Sequence, residues 1–310
     1  MRPSERTNQR HGRNAPNAAK SDLKRQLKNF KVRPAIEQAI VKALAPTAND
    51  RSETPSEPPT RPNLTTGASS ASERPITPMA ERKGETVEPS YVNTKGELDE
   101  IVRDMHYWFE GKETEQNWMK REESMGTLRR LIAGNAVSDF HDAFLNGIRG
   151  LLDGIIKGIN SLRTSLSKEG CALVQDVANS FGAAIDPIVE LLMQTLLKLC
   201  AATKKISSQL ANSTIEIILT KASYSNRLLQ HVCSASQDKN VQPRLYATAW
   251  LKTIMIKEEQ HKAHIENTGG VELIEKSIKK GLGDANPGVR EKMRATYWTY
   301  AKIWPARGAV

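Results

Sequence analysis

The stretch LDEIVRDMHYWF, from Leu98 to Phe109, begins a helical pattern. Leu98, Ile101, Met105 and Trp108 recur at intervals of three or four residues, which places them on one face of a helix. Similar segments follow as far as Trp304, separated by short polar turns. The pattern predicts helices at about 97–109, 115–133, 137–160, 165–182, 186–203, 207–221, 225–235, 241–257, 270–281 and 287–304. Alternating strand patterns and Asn-Gly hairpin turns are absent, so this part of the chain is predicted to be all-α.

Two of these helices have a recognisable start. Asp186-Pro187 and Asn286-Pro287 each place an acceptor side chain before a proline. An Asp or Asn at the N-cap accepts a backbone N–H, and proline at the first helical position supplies the φ that a helix requires. Both dipeptides are therefore predicted to begin helices as N-cap and N1.

The predicted helices come in pairs at a regular spacing. The turns within the pairs fall near Trp118, Thr164, Lys205, Asn240 and Asn286, at intervals of 46, 41, 35 and 46 residues. Helical pairs of 35–47 residues with little mutual identity are typical of HEAT-like repeats, which stack because one pair cannot bury its own apolar face. The sequence therefore predicts a HEAT-repeat α-solenoid over residues 96–310, in which one set of turns lies along one edge.

Residues 1–95 have a different composition. They contain eleven of the fifteen prolines and no tryptophan, and they carry 17 Lys and Arg against 10 Asp and Glu. This segment, with net charge +7, is predicted to be mostly disordered, with a short helical element at about 21–44. Thr54-Pro55 and Thr77-Pro78 are candidate phosphorylation sites within it.

The rest of the composition excludes several classes of protein. No apolar run is long enough to span a bilayer, and the basic N-terminus lacks the apolar core of a signal peptide. Cys171, Cys200 and Cys233 are predicted to be reduced core residues of an intracellular protein. The motifs of nucleotide-binding, hydrolase and zinc-peptidase sites are absent, so no enzyme, cofactor or metal site is predicted. Only the charge favours nucleic acid, because aromatic stacking platforms are missing and residues 96–310 carry a net charge of only +3.

Each turn carries small polar residues and at least one Lys or Arg. If the turns align on one edge, they form a basic ladder headed by an aromatic anchor, which suits an acidic protein surface. The candidate docking residues are Trp118, Lys120, Arg121, Thr164, Ser165, Lys204, Lys205, Lys239, Asn240, Arg244, Asn286, Arg290 and Arg294.

An ordinary structural explanation stands beside this one. Ser, Thr and Asn commonly cap helices, and Lys or Arg on a turn is usually just solvated. Arg121 and Arg290 could instead brace a neighbouring repeat. Trp118 is either a core residue off the main pattern or a side chain displayed to a partner.

Three segments resemble a known family: KETEQNWMKREESMGTLRRLI, SLRTSLSKEGCALVQDVA and DANPGVREKMRATYW. They are similar to the TOG-type domains of CLASP proteins, and the best fit over residues 96–310 is to the second TOG-like domain of fungal members. SDLKRQLKNFKVRPAIEQAI also resembles the segment between the first and second TOG domains. The resemblance implies a piece of a longer protein, folded as a paddle of about six HEAT repeats.

The resemblance also implies a function. It is expected that the turns bind tubulin, with Trp118 as the anchor, and that the protein suppresses catastrophe and promotes rescue of microtubules. Expected locations are the cytoplasm, the cytoskeleton and the mitotic spindle, inside the nucleus if mitosis is of the fungal type. Other spindle or kinetochore proteins are further expected partners, and this segment is expected to be monomeric. The alternative is a HEAT-repeat scaffold that binds a non-tubulin protein through its concave face.

Overall fold

The computed structural model describes residues 87–308, and the regular secondary structure in that range is helical. Contacts divide these residues into two compact units, 87–223 and 224–308, where the sequence predicts a single domain from residue 96. The disorder predicted for residues 1–86, the helical element at 21–44, and Thr54 and Thr77 lie outside the described residues.

The unit 87–223 consists of helices in two layers. Its helices are α1 (Lys95–Phe109), α2 (Trp118–Ala133), α3 (Ala136–Asp139), α4 (His141–Gly150), α5 (Leu152–Ile159), α6 (Thr164–Phe181), a 3-10 turn (Gly182–Ile185), α7 (Asp186–Cys200) and α8 (Lys205–Lys221). Helix α6 packs between α2 and α8, while α1 packs on α4 and α5. Arg129 of α2 links this helix to α6, because it pairs there with Glu169 at 3.0 Å and with Asp176 at 2.6 Å.

The unit 224–308 repeats this arrangement with fewer helices. It contains α9 (Asn226–Ala235), α10 (Val241–Lys257), a 3-10 turn (Glu259–His261), α11 (Ala263–Asn267), α12 (Gly270–Leu282), α13 (Pro287–Ile303) and α14 (Pro305–Gly308). Helix α10 packs on α13 and α9 packs on α12. The Thr296 hydroxyl donates to the carbonyl of Thr248 at 2.9 Å, and Trp250 of α10 is completely buried. These helical pairs confirm the predicted all-α fold class.

The predicted helix limits agree with the observed ones to within three residues except in one segment, and the short helices α11 and α14 were not predicted. A single helix was expected over 137–160, but the chain breaks at Phe140 and Leu151 and forms α3, α4 and α5. Glycines in this segment serve close packing at the expense of helix propensity. A Cβ on Gly154 would lie 2.3 Å from the side chain of Phe109, so only glycine lets α5 approach α1 this closely.

Of the two predicted N-caps, one is confirmed. Asn286 accepts hydrogen bonds from the N–H groups of Gly288 and Val289 at 2.9 and 3.2 Å. The prediction for Asp186 was wrong, since Asp186 is already helical and its carboxylate accepts the N–H of Ser223 at 2.9 Å. A contact 37 residues away in the chain, invisible to local pattern, determines its role.

The apolar stripe of α1 is rotated relative to the predicted one. Leu98 and Met105 are buried as expected, but Val102 and Phe109 complete the buried face, while Ile101 and Trp108 are half-buried. Ile101 and Val102 are adjacent apolar residues, as are Trp108 and Phe109, so periodicity alone does not choose which of each pair is buried.

The folded region begins before residue 96. The side chain of Asn135 accepts the Val92 N–H at 2.9 Å and donates to the Val92 carbonyl at 2.8 Å, and Val92 is buried. The Ser90 N–H donates to the carbonyl of Arg130 at 2.9 Å. Residues 90–93 are therefore fastened to the C-terminal end of α2, although their composition resembles that of the preceding segment.

The three cysteines are unpaired and buried, as predicted. Burial raises the pKa of the Cys171 and Cys233 thiols to about 11 and that of Cys200 to about 12. None of the helices within residues 87–308 has both the length and the apolar character needed to cross a bilayer.

Candidate protein-docking edge

The loop between α1 and α2 is held rigid by its own side chains. Thr114 donates its N–H to Asn117 Oδ1 at 2.8 Å, and Asn117 donates its N–H to Thr114 Oγ1 at 3.3 Å. Asn117 Nδ2 also donates to the carbonyl of Lys112 at 3.0 Å. Gly111 has a φ of +65°, a backbone conformation that residues with a Cβ rarely adopt. This loop fixes Trp118 as the first residue of α2.

Arg121 supports the loop from inside the protein. Its side chain is fully buried and donates to the carbonyls of Trp108, Glu110 and Gly111 at 2.8, 2.8 and 3.3 Å. Burial lowers the pKa of the guanidinium, although Arg stays protonated at any physiological pH. Arg121 therefore cannot reach a partner and leaves the predicted docking set.

Trp118 is half-buried, which lies between the two predicted alternatives. The guanidinium carbon of Arg163, from the turn before α6, lies 4.7 Å from the centroid of its ring. Arg163 is held there by carboxylates of the α1–α2 loop: Nη2 donates to Glu115 Oε1 at 2.5 Å, and Nε lies 3.2 Å from Glu113 Oε1. Trp118 thus joins two turns and keeps part of its ring exposed.

Further contacts bring the turns before α2, α6 and α8 together. Ser165 Oγ donates to Glu122 Oε2 at 2.8 Å, which links the start of α6 to α2. Lys204 Nζ donates to the carbonyl of Leu162 at 2.7 Å, which links the turn before α8 to the turn before α6. Within the unit 87–223 these three turns therefore lie side by side, and we call them the turn edge.

The turn edge displays large apolar side chains in addition to the predicted docking residues. Met119, Leu162 and Ile206 are 62%, 85% and 60% exposed, one on each turn. Met119 and Ile206 occupy the same position, because each is the second residue of its helix. The sequence signal was available, since Met119 and Ile206 lie at helix starts and Leu162 lies two residues before one, all next to polar turn residues.

The other predicted residues of this unit lie on the same edge. Lys120 is exposed and pairs with Glu123 at 2.8 Å, while Thr164, Lys204 and Lys205 are exposed. Glu113 and Glu115 pair with Arg163, and Glu122 adds a further negative charge beside Ser165. The edge is thus apolar and of mixed charge, where a basic ladder was expected.

In the unit 224–308, two predicted arginines are also internal braces. Arg244 binds both carboxylate oxygens of Asp284 at 2.7 and 3.0 Å and donates to the carbonyls of Asp238 and Lys239, both at 3.0 Å. Arg290 donates to the carbonyls of Asp284 and Ala285 at 2.7 and 2.9 Å. Arg244 therefore links the turn before α10 to the turn before α13, whereas Arg290 uses one guanidinium nitrogen, Nη1, within its own turn.

The pKa of Asp284, which lies in the turn before α13, is lowered. Burial alone would raise the pKa of its carboxyl group. The hydrogen bonds from Arg244 and from the N–H of Asn286, together with the charge of Arg244, outweigh burial and leave the pKa below its usual value.

The remaining predicted residues of this unit differ in exposure. Lys239 and Asn240 are exposed on the turn before α10, and Arg294 is half-buried on α13.

Comparison with known proteins identifies the family. A model described as CLASP N terminal matches residues 98–310, more than two thirds of the sequence. The chain belongs to the CLASP family. Protein stu-1 of Neurospora crassa is 64% identical to this chain, and the match covers 95% of this chain. Protein STU1 of Chaetomium globosum is 63% identical and also covers 95% of this chain. The chain spans about a quarter of these relatives, 28% and 24% of their lengths.

Solved structures resemble this CLASP-family chain only loosely. One such structure is a computationally designed armadillo repeat protein for modular peptide recognition. The matched region is 66% of this chain and 94% of the designed protein, with 15% identity and a TM-score of 0.36. At that similarity the likeness adds nothing to the fold assignment, which rests on the helices themselves.

Proposed function

We propose that this chain is a non-enzymatic microtubule-binding module that docks on tubulin through the turn edge of the unit 87–223. The observation that carries this proposal is the group of exposed apolar side chains on three linked turns, Met119, Leu162 and Ile206, beside the half-buried Trp118. Apolar clusters with a central aromatic residue and a polar rim are typical of protein interfaces.

The geometry favours docking of a preformed surface. The guanidinium of Arg163 stacked on the ring, which we call the Arg163 clamp, holds Trp118 in place before a partner binds, as do the hydrogen bonds of the α1–α2 loop. A partner therefore does not pay the entropy of ordering this side chain. Membership of the CLASP family supports tubulin as that partner.

Charge contributes separately from the turn edge. Residues 1–95 carry a net charge of +7, whereas the turn edge itself is of mixed charge. The basic segment would attract the acidic surface of a microtubule and raise the association rate, mainly at low salt. We propose that the apolar turn edge gives the specificity.

The module would serve the regulation of microtubule dynamics, promoting rescue and suppressing catastrophe in the cytoskeleton and the mitotic spindle. Spindle and kinetochore proteins are further proposed partners.

The test is co-sedimentation of the 310-residue chain with stabilised microtubules. Trp118→Ala should weaken the affinity roughly 30-fold, since a central interface tryptophan contributes about 2 kcal/mol or more. Leu191→Ala is the matched control, because Leu191 is a comparably exposed apolar residue on α7 of the same unit. Equal binding by wild type, Trp118→Ala and a combined Met119, Leu162 and Ile206 alanine variant would refute the proposal.

A further inference from the structure

Helices α10 and α13 each expose a large apolar side chain, and Trp298 stays exposed although its ring centroid lies 5.3 Å from that of Tyr297. Trp298 is 59% exposed on α13, and Ile256 is 50% exposed on α10. Single exposed apolar residues are common, but an exposed tryptophan together with a second large apolar side chain usually marks an interaction surface.

The repeat places these residues on one surface. Helix α10 follows its N-cap Asn240 and helix α13 follows its N-cap Asn286, so equivalent positions are 46 residues apart. The buried residues obey this offset: Ala247 corresponds to Met293 and Leu251 to Tyr297. The exposed residues obey it as well. We call the surface formed by these exposed residues the α10–α13 face, and its equivalent pairs are Ala249 with Ala295, Lys252 with Trp298 and Ile256 with Lys302.

The chemistry of the α10–α13 face alternates between the two helices. Lys252 precedes Ile256 on α10, whereas Trp298 precedes Lys302 on α13. Each large apolar side chain therefore has a lysine at the equivalent position of the adjacent helix. The small, exposed Ala249 and Ala295 lie three residues before Lys252 and Trp298.

Cations outnumber anions on the two helices. Helix α10 contains three cations and no Asp or Glu, and α13 contains four cations and one Glu. Arg244 and Arg290 are used internally, and Lys302 forms an exposed ion pair with Glu259 at 3.2 Å, which is a weak interaction. The exposed lysines Lys252 and Lys292 remain on these helices.

We propose that the α10–α13 face binds an acidic peptide segment that carries large apolar side chains, donated by a second protein. Lysines interspersed with Trp298 and Ile256 suit carboxylates interspersed with aromatic or aliphatic residues. Nucleic acid fits less well, because Ile256 offers no stacking surface and the accessible cations are few. The surface would make the chain a scaffold as well as a microtubule-binding module, and it does not depend on the turn edge.

The experiment measures binding of a fluorescent twelve-residue peptide of alternating glutamate and phenylalanine to the 310-residue chain by anisotropy. Trp298→Ala should weaken binding about 20-fold or more, as expected for a central aromatic residue. Lys252→Glu should weaken it and reduce its salt dependence. Leu191→Ala and Lys198→Glu are the matched controls on α7, and Trp118→Ala should leave the affinity unchanged.

Two further arms decide between sources of binding. A peptide with lysine in place of glutamate should not bind, and a twelve-nucleotide oligothymidine should bind without dependence on Trp298. Because residues 1–86 are present in every variant, their contribution cancels in the comparison. Equal peptide binding by wild type, Trp298→Ala and Lys252→Glu would overturn the proposal, as would a loss confined to the oligonucleotide. Circular dichroism verifies that the exposed substitutions leave the fold intact.

Discussion

The guanidinium of Arg163 lies 4.7 Å from the ring centroid of Trp118, and the two residues come from different turns. Glu113 and Glu115 hold the guanidinium on the ring from the loop of the first turn. The anchor is therefore composed of both turns, although only Trp118 was singled out from the sequence. Its geometry depends on Arg163 as a positioning residue.

Replacing Arg163 should loosen Trp118 without unfolding the unit. A partly exposed cation–π contact contributes about 0.5–1 kcal/mol, so Arg163→Ala should lower stability only slightly. Acrylamide quenching of tryptophan fluorescence should increase, and the increase should vanish when Trp118→Phe is also present. Arg163→Lys is the conservative control, since it keeps the charge but loses the planar stacking surface. Unchanged quenching in Arg163→Ala would show that the clamp does not order the ring.

Arg121 should be required for stability. Arg121→Ala leaves the carbonyls of Trp108, Glu110 and Gly111 without their donor in a buried place. Unfolding in urea should show a loss of about 3 kcal/mol or more, because each unsatisfied buried polar group is costly. Lys120→Ala, at the exposed neighbouring position, is the control and should change stability by less than about 0.5 kcal/mol. Equal urea midpoints for the two variants would contradict the assignment of Arg121 as a brace.

The Arg244–Asp284 pair should make stability depend on acid pH. Asp284 has a pKa below its usual value in the folded protein, so the stability it contributes is fully present above the unfolded aspartate pKa of about 3.9. That contribution is lost as the pH falls through the lowered folded pKa. Asp284→Asn should cost about 3 kcal/mol at pH 7, as expected when a buried pair loses one partner.

The measurement is thermal unfolding of wild type and Asp284→Asn between pH 7 and pH 2. The difference between the two proteins should stay constant down to about pH 4 and then shrink. Asp153→Asn is the control, because its pair with Lys157 is exposed and should contribute little. A difference that grows on acidification would have the wrong sign for this account.

The N-terminal limit of the folded region can be tested by shortening the chain. Removing residues 1–86 should leave the unfolding temperature nearly unchanged. Removing residues 1–95 should lower it, because Val92 is buried and Asn135 then loses both its backbone partners. Asn135→Ala in the longer version should reproduce most of the loss. If the two shortened chains have the same unfolding temperature, residues 90–93 do not contribute to the stability of the fold.

Local pattern was sufficient for the helices and for the position of Trp118. Apolar periodicity and helix-start signals depend on residues a few positions apart, which explains why α10 and the Asn286 cap agree with the prediction. The breaks at Phe140 and Leu151 within the predicted helix 137–160, and the close approach of Gly154 to Phe109, involve tertiary packing that periodicity does not encode.

The role of each turn cation could not be predicted in this way. Whether an arginine faces solvent or a carboxylate depends on residues some 40 positions away, such as Asp284 for Arg244. The apolar character of the turn edge was visible in Met119, Leu162 and Ile206. It acquired meaning only when the contacts of Ser165 and Lys204 placed the turns side by side.

Site-specific photo-crosslinking tests the proposed docking edge most directly. A benzophenone-bearing residue is placed at position 162, 206 or 191 of the 310-residue chain, and each protein is irradiated on microtubules. Positions 162 and 206 lie on the turn edge, whereas position 191 lies on α7. The account predicts covalent adducts with tubulin from 162 and 206 and not from 191. Adducts from 191 alone, or from none of the three while the chain still co-sediments, would contradict it.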